Sequence, residues 1–259
     1  MFDRLKSLLG AEPKGPPSAR AVARRAAVLQ MVITFGMRQA SGEAQPDDGA
    51  MLRTAAKDMG LWDAFSPWER SFLSDRAAAA EKANVVQASW RIEAYGVLLW
   101  AVQRVPWLPP YDEMFSHDIG DKIPREPDAS AEFIATAVLR DRAELEKQRD
   151  LVELWHWRSR TRQLIEKNEP FPAMPTAPGA PQFKSYDDIV RFTAKAAKEN
   201  GTFGSIVDED FPAHEKAYRD LTPDQWSEVT SITVERHFAL NWLCGHAPGN
   251  RWDETPTDT

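Results

Sequence analysis

The sequence predicts an all-α protein, a single multi-helix domain with orthogonal or bundle-like packing. Capping signals stand directly before stretches with helical periodicity, as in "SPWE" and "TPDQ". Strands and helices do not alternate along the chain, which argues against a parallel sheet. Proline and glycine separate the helical stretches, so most connections between them are short.

The first helices are predicted from their ends. Ser18 is a natural N-cap for "ARAVARRAAVLQMVITFGMRQA". Asp47 or Asp48 begins "GAMLRTAAKDM", which Gly60 ends. Ser66 opens a capping box in which proline takes the first helical position and glutamate reaches back to the cap. These signals predict three helices in the first third of the chain.

The longest helices are predicted at 77–103, 142–167 and 223–244. A shorter one, "AEFIATAVL", precedes the second. Another begins at Ser185 and ends at Gly201. These elements extend the helical prediction over the rest of the chain.

Two segments between the helices differ in character. Residues 204–221 indicate one minor β-hairpin, although Pro212 weakens that interpretation. Residues 169–182 contain five prolines, a pattern typical of an extended connection. Because the part after this connection is small, we expect one α-helical domain over 18–259, preceded by a flexible basic arm at 1–17.

The charge of the chain is −7 but it is unevenly distributed. Residues 1–40 hold seven Lys or Arg against two acidic residues, so the remainder is strongly acidic. The arm either lies on this acidic body or binds nucleic acid or an anionic membrane. The acidic body would repel phosphates, which disfavours nucleic acid and membrane partners.

The location of the protein is predicted to be cytoplasmic. No apolar run reaches the roughly 18 residues of a membrane span, and the start is too polar for a signal peptide. Cys244 is the single cysteine, so no internal disulfide or thiolate metal cluster can form. Glu153 and His156 match a single E-x-x-H motif on a solvated face, and we predict neither a metal nor a cofactor.

Three charged residues occupy apolar helix faces. On a helical wheel, Glu93 falls between Trp90 and Trp100. Arg236 and Arg158 each lie within the apolar stripe of their own helix. An unpaired buried ion costs several kcal/mol, so these charges are expected to meet.

We therefore predict that Glu93 pairs with Arg236 or Arg158, and that Asp150 pairs with the other arginine. Glu235 lies at the edge of the same stripe as Arg236. Together these charged residues form either a structural ion network or a polar pocket that binds an anion or supports acid–base chemistry. The candidate network or pocket comprises Glu93, Arg236, Arg158, Asp150, Glu235, Trp90, Trp100, Trp242 and Asp253.

The C-terminal stretch "RWDETPTDT" is predicted to be pinned to the body of the protein by Trp252. The alternative is that this tail covers the polar pocket, with Asp253 reaching an arginine.

The stretches "WRIEAYGVLLWAV", "ELWHWRSR", "ERHFALNWLCG" and "WDETPTDT" together resemble the bacterial domain-of-unknown-function family 4272. The likeness covers most of the chain after Ala19 and is most specific at the C-terminus. The resemblance implies a fold and its boundaries, and no activity. The positions that match are Trp90, Arg91, Glu93, Glu235, Arg236, Asn241, Trp242, Trp252 and Asp253.

The leading functional hypothesis is a non-catalytic cytoplasmic interaction or scaffold protein, with a protein partner or a homo-oligomer. It depends on the lack of a recognisable nucleophile–base pair, metal set or phosphate loop. The alternative is an enzyme or small-anion-binding protein that uses Glu93, Arg158 and Arg236 in a Trp-lined pocket. A third hypothesis is an adaptor that binds a membrane or nucleic acid through the basic arm.

Overall fold

The structure is a computed structural model and describes residues 15–172 and 181–258. It is all-α with one small antiparallel sheet, as predicted. The helices are α1 (Ala19–Ser41), α2 (Asp48–Asp58), α3 (Pro67–Ser74), α4 (Arg76–Ala80), α5 (Lys82–Ala101), α6 (Pro127–Thr136), α7 (Arg142–Glu166), α8 (Tyr186–Glu199) and α9 (Pro223–Leu243). The strands are β1 (Pro212–Ala213) and β2 (Lys216–Ala217), and short 3₁₀ turns lie at Trp62–Ala64, His117–Asp121, Tyr218–Asp220, Pro248–Asn250 and Trp252–Glu254.

The chain divides into two compact units. Unit 1 contains the described residues of 1–109, 114–149 and 235–258, and unit 2 those of 110–113 and 150–234. Helices α7 and α9 each contribute residues to both units. The single domain over 18–259 stays a prediction.

The core of unit 1 forms where α1 packs against α5. Both helices bury apolar side chains, among them Leu29 and Val32 on α1 and Val97 and Leu98 on α5. The two backbones come close at Gly36, where an added Cβ would lie 2.6 Å from the Cβ of Ala88. The sequence places Gly36 where this approach leaves no room for a side chain.

The caps predicted at Ser18, Ser66, Ser185 and Thr222 are confirmed. Asp47, before α2, forms no side-chain capping bond, and the helix predicted as "AEFIATAVL" begins earlier, at Pro127. The Ser18 hydroxyl accepts a hydrogen bond from the backbone N–H of Ala21. Ser66 and Glu69 form the complete capping box at the start of α3. Ser185 caps α8, and the "TPDQ" stretch forms reciprocal side-chain and backbone bonds before α9. Each cap satisfies an N–H group that the first helical turn leaves without a partner.

The prediction of one continuous helix over 77–103 is wrong. The chain turns to an extended conformation at Glu81, which separates α4 from α5. Asn84 donates a side-chain hydrogen bond to the carbonyl of Ala78 and accepts one from the indole N–H of Trp68. Side-chain bonds of this kind replace helical backbone bonds, and a helical wheel does not register them.

Unit 2 has an aromatic core centred on Trp155. Its ring lies 5.2 Å from that of Tyr111 and 5.5 Å from that of Phe211, measured between ring centroids. The predicted hairpin near 204–221 is present as β1 and β2, in which Pro212 pairs with Ala217. Pro212 is tolerated because a two-stranded sheet consists only of edge strands.

Two predicted features fall partly outside the described residues. The arm at 1–17 is described only from Gly15, and residues 173–180 of the Pro-rich connection are likewise not described. Within the described parts of the chain, no helix is both long and apolar enough to span a membrane.

Candidate functional site

Glu93 and Arg236 form a fully buried ion pair in unit 1. Nε of Arg236 donates to one carboxylate oxygen of Glu93 at 2.8 Å, and both side chains have 0% exposure. The other oxygen accepts the backbone N–H of Phe115 at 2.8 Å, while Nη1 of Arg236 donates to the carbonyl of Pro109. Of the two pairings predicted for Glu93, the structure contains the one with Arg236.

A second ion pair joins the same two helices. Nη1 of Arg91 on α5 donates to Glu235 on α9 at 2.9 Å. Burial raises the pKa of Glu235, and the Arg91 charge offsets part of this effect. The Arg91 guanidinium also lies 4.2 Å above the ring of Phe238. The charged positions 91, 93, 235 and 236 therefore hold α5 against α9 through two ion pairs.

Arg158 pairs with Asp210, so the predicted pairing with Asp150 is wrong. Nε and Nη2 of Arg158 each donate to a different oxygen of Asp210 at 2.7 Å, in the bidentate geometry that suits arginine. Both side chains are buried in unit 2, whereas Asp150 is exposed. Asp210 lies at the end of a tight turn. A helical wheel includes only helix residues, so it could not identify Asp210 as the partner.

The residues predicted to form one network fall in both units of the chain. Glu93, Arg236 and Glu235 belong to unit 1, and Arg158 belongs to unit 2 with its own carboxylate. Trp100 is buried beneath the guanidinium of Arg140, and Trp90 is half-buried.

The C-terminal tail is pinned to unit 1, as predicted. The ring of Trp252 is buried and meets those of Phe238 and Trp242 edge-on, at centroid distances of 4.7 and 5.1 Å. The side-chain amide of Asn241 donates to the carbonyl of Pro256 at 2.8 Å. The distinctive "ALNW" stretch of α9 therefore anchors the tail.

Among the described residues, Asp253 forms no ion pair with an arginine, contrary to the alternative for the tail. Its carboxylate accepts the backbone N–H of Trp68 at 3.1 Å. Trp68 is the second residue of α3, whose N-terminal N–H groups and dipole favour a negative charge. Asp253 thus acts as a cap supplied from a distant part of the sequence.

Beside the tail lies a cavity of about 620 Å³. Its volume is in the range of small-molecule sites, and its walls combine aromatic rings, prolines and a few polar groups. Trp242 and Asp253 are the predicted site residues that line it. The lining residues are Pro16, Pro17, Ser18, Ala21, Arg24, Arg25, Asp63, Ala64, Phe65, Ser66, Pro67, Trp242, Asn250, Arg251, Trp252, Asp253 and Glu254.

Three of the lining residues each have a buried polar atom with no hydrogen-bond partner among the described residues. These atoms are Nε of Arg25, Nε1 of Trp252 and Oδ1 of Asn250. Buried polar atoms are satisfied in the great majority of cases, so three exceptions on one cavity need an explanation. Two of them are N–H donors and one is an acceptor.

The arginines of the cavity are already paired. Arg25 is held by both carboxylate oxygens of Glu69, with the shorter contact at 2.5 Å. Arg24 pairs with Asp63 at 2.7 Å, and Arg251 donates to Glu254 at 2.6 Å. The wall therefore offers directional hydrogen-bonding groups with little net positive charge.

Sequence reasoning missed Arg25 and Asn250. Arg25 lies on the buried face of α1, within "RRAAVL", and a helical wheel of α1 would have found it. Asn250 lies in an irregular turn with φ of 56°, where no periodic signal exists. Glu69 was predicted only as part of the capping box, and the structure adds its pairing with Arg25.

The described residues of the cavity wall include no His, Cys, Lys or Tyr. Nowhere in the described chain do three or more His, Cys, Asp or Glu side chains gather as a metal site would require. The chemistry that the wall offers is hydrogen bonding and aromatic contact.

The fold and the site define an all-α protein with buried ion pairs and a Trp-lined cavity. The chain belongs to the family described as Domain of unknown function (DUF4272), whose model matches residues 3–175. The match begins before Ala19, and Glu235, Arg236 and Trp252 lie beyond its end, so the C-terminal likeness is not part of it. No curated protein and no solved structure matches the chain.

Proposed function

We propose that the protein binds a small molecule in the cavity beside Trp252. The observation that carries this proposal is the set of three buried atoms without partners, Arg25 Nε, Trp252 Nε1 and Asn250 Oδ1. Leaving such a group without a partner costs about 1–3 kcal/mol. A ligand that satisfies all three would recover that cost on binding.

The ligand class follows from the charges and the shape of the wall. Because Arg24, Arg25 and Arg251 are each paired with a carboxylate, the wall favours a neutral ligand over an anion. The two donors call for acceptors on the ligand, and Asn250 calls for a donor. The rings of Trp242 and Trp252 favour a flat apolar body. A neutral heterocycle that carries an amide group has these properties.

This proposal replaces the pocket built on Glu93, Arg158 and Arg236. Those three side chains form buried ion pairs and are not part of this cavity wall. A cytoplasmic location and a bacterial source belong to the proposal as well. The location rests on the single cysteine and the composition of the chain.

The proposal is tested by calorimetric titration of the full chain with uracil and nicotinamide, and with benzoate as an anionic comparison. We expect at least one neutral probe to bind and benzoate to bind more weakly. Trp252→Phe keeps an aromatic ring but removes the N–H, and should weaken binding about 3–10-fold, the value of one neutral hydrogen bond.

The matched control is Trp100→Phe, which changes a buried indole outside the cavity wall and should leave affinity unchanged. Failure of both neutral probes to bind, or equal affinity of wild type and Trp252→Phe, would contradict the proposal.

A second candidate is a protein-interaction role, with a second copy of the chain as the partner to test. Trp107 is 72% exposed in a Pro-rich loop, and Val138 is 63% exposed. Exposed tryptophans are the residue type most enriched at binding hot spots. Sedimentation should show a mass that rises with concentration and no longer does so in Trp107→Ser. A monomeric mass at every concentration would contradict self-association.

A further inference from the structure

Unit 2 contains a second, smaller cavity of about 160 Å³ with predominantly polar walls. It is formed by the middle of α7, the first turns of α8, the turn at 207–210 and the segment after β2. Its lining residues are Arg158, Asp187, Val190, Arg191, Asp208, Glu209, Asp210 and Arg219.

The Arg158 guanidinium has one donor without a partner. The side chain is 2% exposed, and its Nε and Nη2 donate to Asp210. Nη1 is buried and has no acceptor among the described residues. The ring of Tyr218 packs against the guanidinium, with its centroid 4.6 Å from Cζ of Arg158. This arrangement leaves one cationic N–H group of a residue that lines the cavity without an acceptor among the described residues.

The remaining charges of the wall are of both signs. Glu209 is neutralised by Arg191 and Lys195, at 2.9 and 2.5 Å. The Arg219 guanidinium donates to the backbone carbonyl of Asp208 and forms no ion pair among the described residues. Asp187 and Asp208, within the same described set, form no ion pair either. The wall therefore holds cationic donors and carboxylates that remain available to a ligand.

The turn that carries two of these carboxylates has a specific backbone geometry. Asp208 and Glu209 adopt left-handed φ angles of 46° and 63°, and Val207 and Asp210 pair across the turn. Asp210 in turn accepts the backbone N–H of Arg219 at 3.0 Å. Donors and carboxylates thus face the cavity from a preorganised frame.

We propose that this cavity binds a small zwitterion of the α-amino acid class. Its carboxylate would accept hydrogen bonds from Arg158 Nη1 and Arg219, and its ammonium group would bind Asp187 and Asp208. A simple anion is disfavoured by the carboxylates, and a simple cation by the Arg158 guanidinium. The volume of about 160 Å³ suits the smaller amino acids, such as glycine, alanine or serine.

The test is calorimetric titration of the full chain with glycine and L-alanine, compared with propionate and ethylamine. Propionate lacks the ammonium group and ethylamine lacks the carboxylate. We expect measurable binding of the amino acids only. Asp208→Asn and Arg219→Gln, both at exposed positions, should each weaken it at least 10-fold without changing the melting temperature.

Asp220→Asn is the matched control, since Asp220 is exposed beside Arg219 but does not line the cavity. Trp252→Phe should also leave amino acid binding unchanged, which separates this site from the cavity in unit 1. No heat with millimolar glycine or alanine, equal binding of propionate or ethylamine, or normal binding by Asp208→Asn would overturn the proposal.

Discussion

Glu93 accepts a hydrogen bond from Nε of Arg236 at 2.8 Å, and neither side chain is accessible to solvent. The two residues lie 143 positions apart in the sequence. Because the same carboxylate also holds the backbone of Phe115, it connects α5, α9 and a loop. This carboxylate therefore fixes the packing of three separate segments of unit 1.

Removal of Glu93 should destabilise the fold severely. Glu93→Ala removes the buried carboxylate that pairs with Arg236, and breaking a buried ion pair costs about 3–5 kcal/mol. The free energy of unfolding, measured with urea by tryptophan fluorescence, reports the loss. Glu146→Ala breaks the exposed pair with Arg142 and is the control, with an expected change of about 0.5 kcal/mol or less. A similar effect of the two substitutions would contradict the burial of Glu93.

In unit 2, the partner of Arg158 can be identified by substitution. Asp210→Ala should lower the free energy of unfolding by about 3–5 kcal/mol, because it strands a buried guanidinium. Asp150→Ala, the partner predicted from the sequence, should cost less than about 1 kcal/mol because Asp150 is exposed. Urea unfolding followed by circular dichroism measures the free energy of unfolding of both variants. A larger effect at Asp150 than at Asp210 would reverse the assignment.

Helix periodicity is sufficient to predict the pairing of Glu93 with Arg236 but not that of Arg158 with Asp210. Glu93 and Arg236 each break the apolar stripe of a long helix, so the wheel alone indicates that both are buried. Since isolated buried charges are costly, their pairing follows. The helix starts were predictable for a similar reason, because a cap such as Ser18 or Ser66 satisfies N–H groups within its own turn.

The remaining contacts of the site join residues that lie far apart in the sequence. Asp210 and Asn250 lie in irregular turns, and Asp253 binds a helix start 185 positions away. The break at Glu81 depends on side-chain bonds of Asn84. No periodic signal marks such residues, and their partners are set by the packing of complete elements. The cavity beside Trp252 was therefore not predictable from the sequence.

The contact of α1 with α5 should not tolerate a larger residue at Gly36. An added Cβ would lie 2.6 Å from that of Ala88, so overpacking of about 1–3 kcal/mol should exceed the helix-propensity gain of about 1 kcal/mol. Gly36→Ala is thus expected to lower the melting temperature. Gly120→Ala, where the new methyl group meets open space, is the control. Gly36→Ala with Ala88→Gly should cost less than the sum of the two changes. Strict additivity would argue against the contact.

The pH dependence of stability should report on Glu235. Burial raises the pKa of this carboxyl, and the facing Arg91 charge opposes the rise only in part. The folded state then holds this proton to a higher pH than the unfolded state, whose carboxyl titrates near pH 4.3. Between the two pKa values the folded state binds more protons, so raising the pH lowers the free energy of unfolding. Glu235→Gln should match wild type near pH 4.3 and become the more stable of the two as the pH rises to 7, as measured by urea unfolding at each pH. A glutamine variant that instead loses stability relative to wild type as the pH rises would mean that the ion pair outweighs burial.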